Sequence, residues 1–429
     1  MKLSNRVALL AGMGSFLDGY DLIVIAGALA FVEKSLNLSS KLGGLAVGMS
    51  FLGGFFGALF LSRTVDLYGR RIVFLYDLLL FIVGTLIAAL SVNFIMLFVG
   101  RFLVGMAIGV DLSVTWTMVS EFAPNLHRGA LLSLQFILWD IGAILSYFFL
   151  IALLPVGNPV WRYVFLIGLI PAIIVTTIRR TIPESPRWLL SKQRKNEAME
   201  IITSNNLNIS SEAIQKELAQ KRVPWTNLFS RNYRRNAIGV FVIQTLAFLA
   251  LVPFNLFTPE VLKLIGFSGS EAIILLGSAF VWTFSLIAWI AAFFALDSIG
   301  RKLVAGVSYG IAVVFLAVLV LAYGDLPTNV FFGMWVTVEF FATFGSASLW
   351  AWSNELFPTS LRGFAQGFNA SGNRIAGFFG SYLTAALLAI SLASLYSVSL
   401  AATIVVVAVI LLLKNSETKR KDLSDIYSG

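Results

Sequence analysis

VDLYGRR at residues 65–71 and LDSIGRK at residues 296–302 carry an aspartate, a glycine and an arginine in one order: Asp66 with Asp297, Gly69 with Gly300, Arg70 with Arg301. Each closes a long apolar run. A second pair agrees, because SEFAPNLHRG at 120–129 and NELFPTSLRG at 354–363 match Glu121 with Glu355, Pro124 with Pro358 and Arg128 with Arg362. The motifs recur 231 and 234 residues apart, from 65 to 296 and from 120 to 354. Two unlike motifs repeating at nearly one interval mark a chain made of two related halves.

Composition sets the medium. Of 429 residues 58% are hydrophobic and 12% are charged, against about 25% charged in soluble domains, and the mean hydropathy is +0.87. This is the composition of a polytopic membrane protein. There is no cysteine and one histidine, His127, so disulfides, thiol catalysis and histidine-based metal sites are not expected. The charged start MKLSNR runs into a long apolar segment without a small-residue cleavage site, and is read as a retained first span.

With about 20 residues per span as the ruler, twelve apolar segments follow, near 8–32, 43–64, 72–91, 94–118, 129–153, 161–178, 236–258, 270–295, 302–323, 328–352, 364–388 and 391–413. The expected class is all-α, with twelve transmembrane helices in two pseudo-symmetric six-helix bundles. The expected division is a bundle over 1–178, a cytoplasmic linker with short amphipathic helices over 179–235, a second bundle over 236–413 and a tail over 414–429. Placing the N-terminus inside puts 25 of the 31 Lys and Arg in cytoplasmic segments, which is the positive-inside arrangement. Both termini are therefore expected in the cytoplasm. The net charge of +9 is then a topology signal, and no nucleic-acid partner is expected.

On these motifs the chain resembles the major facilitator superfamily. GALFLSRTVDLYGRR is similar to its signature between spans two and three, with Ser62 and Leu67 as departures. IPESPRWLL at 182–190 and PWTNLF at 224–229 resemble the sugar-porter branch. The resemblance implies a plasma-membrane carrier that works by alternating access, without cofactor or enzymatic activity and as a monomer, its partners being a small solute, a proton and the bilayer. Asp66, Arg70, Arg71, Glu121, Arg128, Asp297, Arg301, Glu355 and Arg362 lie at the expected cytoplasmic mouth. There, pairs worth about 0 to 1 kcal/mol each could latch the bundles reversibly.

Charges inside the spans point to the site. Asp18, Asp21, Arg101, Asp111, Asp140, Glu339 and Arg374 fall within them, and each costs about 3 kcal/mol at a helix centre. At about 1.5 Å per residue, Asp18, Asp140 and Arg374 lie ~15 Å in from the inner ends of their spans, with Glu339 and Asp111 near the same depth. Five acids meet two arginines, so at least one acid is expected to hold a proton. Asp18, Asp21 and Asp111 are the proton-coupling candidates. Arg374, Asp140, Gln244, Asn255, Glu339, Asn373 and Arg101 are the substrate-binding candidates.

Two resemblances divide the substrate reading. LDGYDLIVIAGAL at 17–29 and GNRIAG at 372–377 are similar to spans one and eleven of aromatic- and organic-acid:proton symporters, which implies a carboxylate held by Arg374. PESPRWL and FNLFTPEVL at 254–262 are similar to sugar porters, though of the sugar-contacting glutamines only Gln244 and an out-of-register Gln135 remain. An organic acid is the leading expectation. A pentose or hexose, taken by symport or uniport, is the alternative, followed by phosphate or another solute and by a receptor that binds without moving its ligand.

Overall fold

The computed structural model describes residues 3–122, 128–205, 207, 225–267, 269–357 and 359–413. Twelve long helices follow in order: α1 (Leu3–Leu36), α2 (Ser40–Phe56), α3 (Arg70–Ala89), α4 (Phe94–Phe122), α5 (Arg128–Leu153), α6 (Val160–Arg179), α7 (Arg234–Leu256), α8 (Glu271–Ile299), α9 (Arg301–Leu321), α10 (Thr328–Glu355), α11 (Thr359–Leu388) and α12 (Leu392–Leu412). No strand occurs among the described residues. Eleven of the helices are long and apolar enough to cross a membrane. The remaining one, α11, is 30 residues long, but Gln366, Asn369, Asn373 and Arg374 make it polar.

The helix ends follow from local chemistry. Gly69 before α3 and Gly300 before α9 take the same unusual backbone, φ 108° with ψ 159° and φ 113° with ψ 148°. Only glycine enters that region freely, so the repeated motif is a repeated corner. Helix α2 reaches its corner through a π-helical turn, Gly57–Leu61, and a short helix, Ser62–Tyr68. The Asn93 side chain accepts from the Met96 amide at 2.9 Å and caps α4. Past α6, Ser185 caps the short helix Pro186–Ser191, with proline in its first turn. Among the short helices expected in the linker, Lys195–Ser204 is present, while 208–224 lie outside the described residues.

Within the first half, glycines bring helix backbones into contact. A Cβ at Gly53 would stand 2.0 Å from the Phe102 carbonyl oxygen, and one at Gly105 2.0 Å from that of Ser50, which joins α2 to α4. The pairs Gly19 with Trp139 and Gly142 with Phe16 join α1 to α5 in the same way. The two halves meet along two seams. In one, α2 lies on α11, where Gly44 faces Ala385 and Gly377 faces Phe51. In the other, α5 lies on α8, where Phe136 stacks on Trp289 at 4.1 Å and 6° and Trp139 meets Trp282 at 5.2 Å. Stepping six helices along exchanges α2 with α8 and α5 with α11. Each seam is thus the pseudo-symmetric image of the other.

The positions of these contacts show how the halves are closed together. The basic loops define one face of the molecule, and at the opposite face Val252, Leu256, Phe257, Leu275, Ala279, Trp282 and Ala385 pack continuously into the core of the first half. Toward the basic face, Trp116 and Phe136 approach Trp350 at 6.2 and 6.0 Å.

Gly53→Ala is expected to force α2 and α4 apart, because its new methyl meets backbone. Such overpacking costs about 1–3 kcal/mol. The check is the unfolding temperature of the purified protein in detergent, which falls, whereas Gly310→Ala on α9, where nothing lies within 4 Å of a Cβ, leaves it unchanged or raises it.

Candidate functional site

The buried charges sort into three groups. Asp21 on α1 and Arg101 on α4 form a pair at 2.6 Å, and the same guanidinium donates to the Asp21 carbonyl at 3.3 Å. Arg101 has no exposed surface. The structure places it as the charge partner of Asp21, whereas the sequence lists it among the substrate contacts.

The second group was not foreseen. Arg179, the last residue of α6, turns its side chain back into the first half. There it pairs with Asp77 on α3 at 3.0 Å and with Asp111 on α4 at 2.9 Å. It also donates to the Phe74 carbonyl at 2.9 Å and the Leu10 carbonyl at 3.3 Å, and it lies 3.7 Å above the Phe74 ring. Sequence reading put Arg179 in the linker and passed over Asp77 inside the third span. The signal was present in both cases, as an aspartate in an apolar run and an arginine at a span's edge. Asp18 lies within electrostatic reach of Asp77, Asp111 and Arg179, and of Arg374 across the α2–α11 seam. Although Asp18 and Asp21 are three residues apart, they thus serve different partners.

The third group belongs mainly to the second half. Asn255 on α7, with its amide turned to donate, reaches both Glu339 oxygens at 3.0 Å. Thr343 donates to the same carboxylate at 3.0 Å. Asp140 on α5 faces Ser285 on α8 and senses Glu339, and its Oδ2 has no partner. The sequence expects Asp18, Asp111, Asp140, Glu339 and Arg374 near one depth. The structure resolves the buried charges into an Asp21–Arg101 pair, a cluster around Arg179 and a cross-seam pair of acids.

Neutral polar groups complete the site. Gln135 on α5 accepts from Ser15 at 3.4 Å, and its amide nitrogen has no partner. The amide nitrogen of Gln244 on α7, both amide atoms of Asn369 on α11, the Asn373 oxygen and the Trp116 indole nitrogen are likewise without one. Gln135, Gln244 and Asn369 are 2% exposed or less, so each such atom is costly to bury unless a ligand meets it. Asn369, absent from the sequence-based candidates, sits one turn before Asn373 on the same helix.

The gating set is only partly described. Arg70 pairs with Glu121 at 3.2 Å, and Glu184 accepts from the backbone amides of Arg70 at 3.0 Å and Arg71 at 3.2 Å. Burial pushes the Glu184 carboxyl up, and these amides oppose the shift. Arg71 also donates to the Arg180 carbonyl at 3.2 Å. The Arg70–Glu121 pair joins α3 to α4 inside one half. On α9, the Arg301 carbonyl accepts from Ser348 of α10. The side chains of Asp66, Arg128, Asp297, Glu355 and Arg362 lie outside the described residues.

At the opposite face, Glu260 sits in the short helix Thr258–Leu264 that follows α7. Burial pushes its carboxyl up to about 8, with Glu33 and Glu271 adding to the rise and Lys263 opposing it.

Comparison with known proteins places the whole chain. The family model described as "Sugar (and other) transporter" matches residues 7–428. The glucose transporter GlcP of Staphylococcus epidermidis is 30% identical over 374 residues, covering 85% of this chain and 83% of that protein. The arabinose-proton symporter of Bacillus subtilis is 27% identical over 373 residues, covering 83% and 80%. A structure of the xylose transporter XylE from Escherichia coli, in a partially occluded inward-open conformation, superposes with a TM-score of 0.82 at 22% identity, covering 97% of this chain and 98% of that one. At that identity the likeness concerns the fold.

Two outcomes follow from the charges. Asp21→Asn or Arg101→Gln alone strands a buried charge and is expected to cost about 3–5 kcal/mol, while the double variant recovers most of the loss; thermal unfolding of the three proteins is the check. For Glu260 the closed form carries the higher affinity for protons, about 8 against an ordinary 4.5. Closure at this face is therefore strongest at low pH and weakens as pH rises through that window. A cysteine introduced beside the seal, in a chain with none of its own, is expected to label faster with rising pH, and Glu260→Gln to flatten that dependence.

Proposed function

Because this chain belongs to the sugar (and other) transporter family of the major facilitator superfamily, we propose that it carries a small polyhydroxylated solute across the membrane, coupled to protons, by alternating access. The carrying observation is the set of buried amides with unmet hydrogen-bonding groups, Gln135 from one half and Gln244, Asn369 and Asn373 from the other. A sugar offers many hydroxyls, so its site needs several donors and acceptors placed around it. Aromatic residues Trp116, Phe136, Trp289 and Trp350 pack together, and Trp282 packs on Trp139, across α4, α5, α8 and α10. Family membership moves the substrate from the hydrophobic organic acid that the first and eleventh spans suggested to a sugar. The amides of α11 supply polarity that the thinned glutamines of α5 and α7 had seemed to lack.

In this reading the bundles over 1–178 and 236–413 rock about the α2–α11 and α5–α8 seams, and the basic face with both termini is cytoplasmic. Asp21 carries the transported proton. Its pair with Arg101 is a one-to-one balance that protonation of the carboxylate releases, freeing a guanidinium between α1 and α4. The unit is a monomer.

Proteoliposomes holding the purified chain are expected to accumulate labelled pentose or hexose, or an acid derived from one, under an imposed inward proton gradient and to lose that accumulation with an uncoupler. Asp21→Asn is expected to exchange solute across the membrane while failing to accumulate it. Accumulation indifferent to the gradient would overturn proton coupling.

A further inference from the structure

Arg101 and Arg179 are both satisfied by carboxylates within their own half. Arg374 is not. Among the described residues no carboxylate or carbonyl receives an ion pair or hydrogen bond from it, and its guanidinium carbon rests 6.0 Å from the Phe51 ring centre. Its stem runs along α2 beside Gly54, where a Cβ would stand 3.1 Å from Cδ and 3.2 Å from Nε. The side chain is half-buried, and it is placed on α11 next to Asn373 and one turn beyond Asn369, whose amide atoms are among those without partners.

We infer that Arg374 is a carboxylate subsite within the polyol site, so that the solute is a sugar acid, an aldonate or uronate, and not a neutral sugar. This inference rests on the polyol reading above. The chemistry divides between the two kinds of group: amides match hydroxyls, while a guanidinium offers paired donors in the plane that a carboxylate accepts. A neutral sugar would leave the cation facing hydroxyls alone.

Beside the proton that Asp21 carries, Asp18 takes a second one that offsets the charge of the solute. The charges of Asp111 on α4, Arg374 on α11, Asp77 on α3 and Arg179 on α6 all act on Asp18. Arg179 already answers two aspartates, so Arg374 is the cation left to Asp18. An ionised Asp18 competes with the solute's carboxylate for that cation. When the solute takes Arg374, Asp18 loses its counter-charge and takes up a proton, so anion and proton enter together with no net charge moved at this site.

The test is ligand-induced thermal stabilisation of the purified full-length protein, titrated with D-gluconate, D-glucuronate, D-glucose, D-xylose and benzoate on both sides of neutral pH. One or both sugar acids are expected to bind more tightly than either neutral sugar, and more tightly on the acid side. Arg374→Gln is expected to weaken the acid about 10- to 100-fold, the loss of one charged hydrogen-bonded contact, and Arg374→Lys to recover part. Asp18→Asn is expected to bind the acid with no pH dependence. Neutral sugars binding as tightly as the acids, or acids holding equally to Arg374→Gln, would overturn the inference while leaving the polyol reading intact. Benzoate binding with no response to any sugar or sugar acid would instead overturn the polyol reading on which it stands. If Arg374→Gln does not fold, the wild-type comparison of acid with neutral sugar, together with Arg374→Lys, decides.

Discussion

A charge buried in an apolar bundle has to be met by another, and in this molecule one guanidinium meets that demand for four helices. Arg179 on α6 reaches carboxylates on α3 and α4 and a backbone carbonyl on α1. Without it, Asp77 and Asp111 would be two like charges sharing one dry space. The pair of Asp21 and Arg101 adds a second tie between α1 and α4. Together with the glycine contacts of α2 on α4 and α1 on α5, these ties make the first half a unit whose helices cannot slide independently.

The second half is held differently. Its core carries large rings, with Phe254 4.2 Å from Trp335 and Tyr396 beside both, and the buried acid Glu339 is answered by an amide and a hydroxyl instead of an arginine. The pseudo-symmetry of the chain is therefore one of topology, visible in the corners at Gly69 and Gly300 and in the two seams, while the chemistry of the halves has diverged. Electrostatic ties lie on one side of the site, and hydrogen-bonding amides lie mostly on the other.

Much of this was legible before any coordinates. Apolar runs placed twelve helices, including the more polar α11. Asp18, Asp21, Arg101 and Arg374 stood out because a charge in an apolar span is improbable unless something answers it. What could not be read was the identity of the answering group. Arg101 looked free until α1 was seen beside α4, and Arg179 looked like a loop residue because its long side chain folds back into the core from the helix end. Asn369 was overlooked because one amide in a polar helix carries no pattern of its own; only the lack of any neighbour for its two polar atoms sets it apart. Nothing in a linear sequence says that Trp139 and Trp282 face each other.

Those rings have a practical meaning. Indole emission changes in colour and intensity when a stacked neighbour departs or water arrives, and Trp116, Trp139, Trp282, Trp289 and Trp350 line the seam between the halves, which the proposed alternating access would open. The carrier thus contains its own optical gauge of conformational cycling, readable in the unlabelled protein.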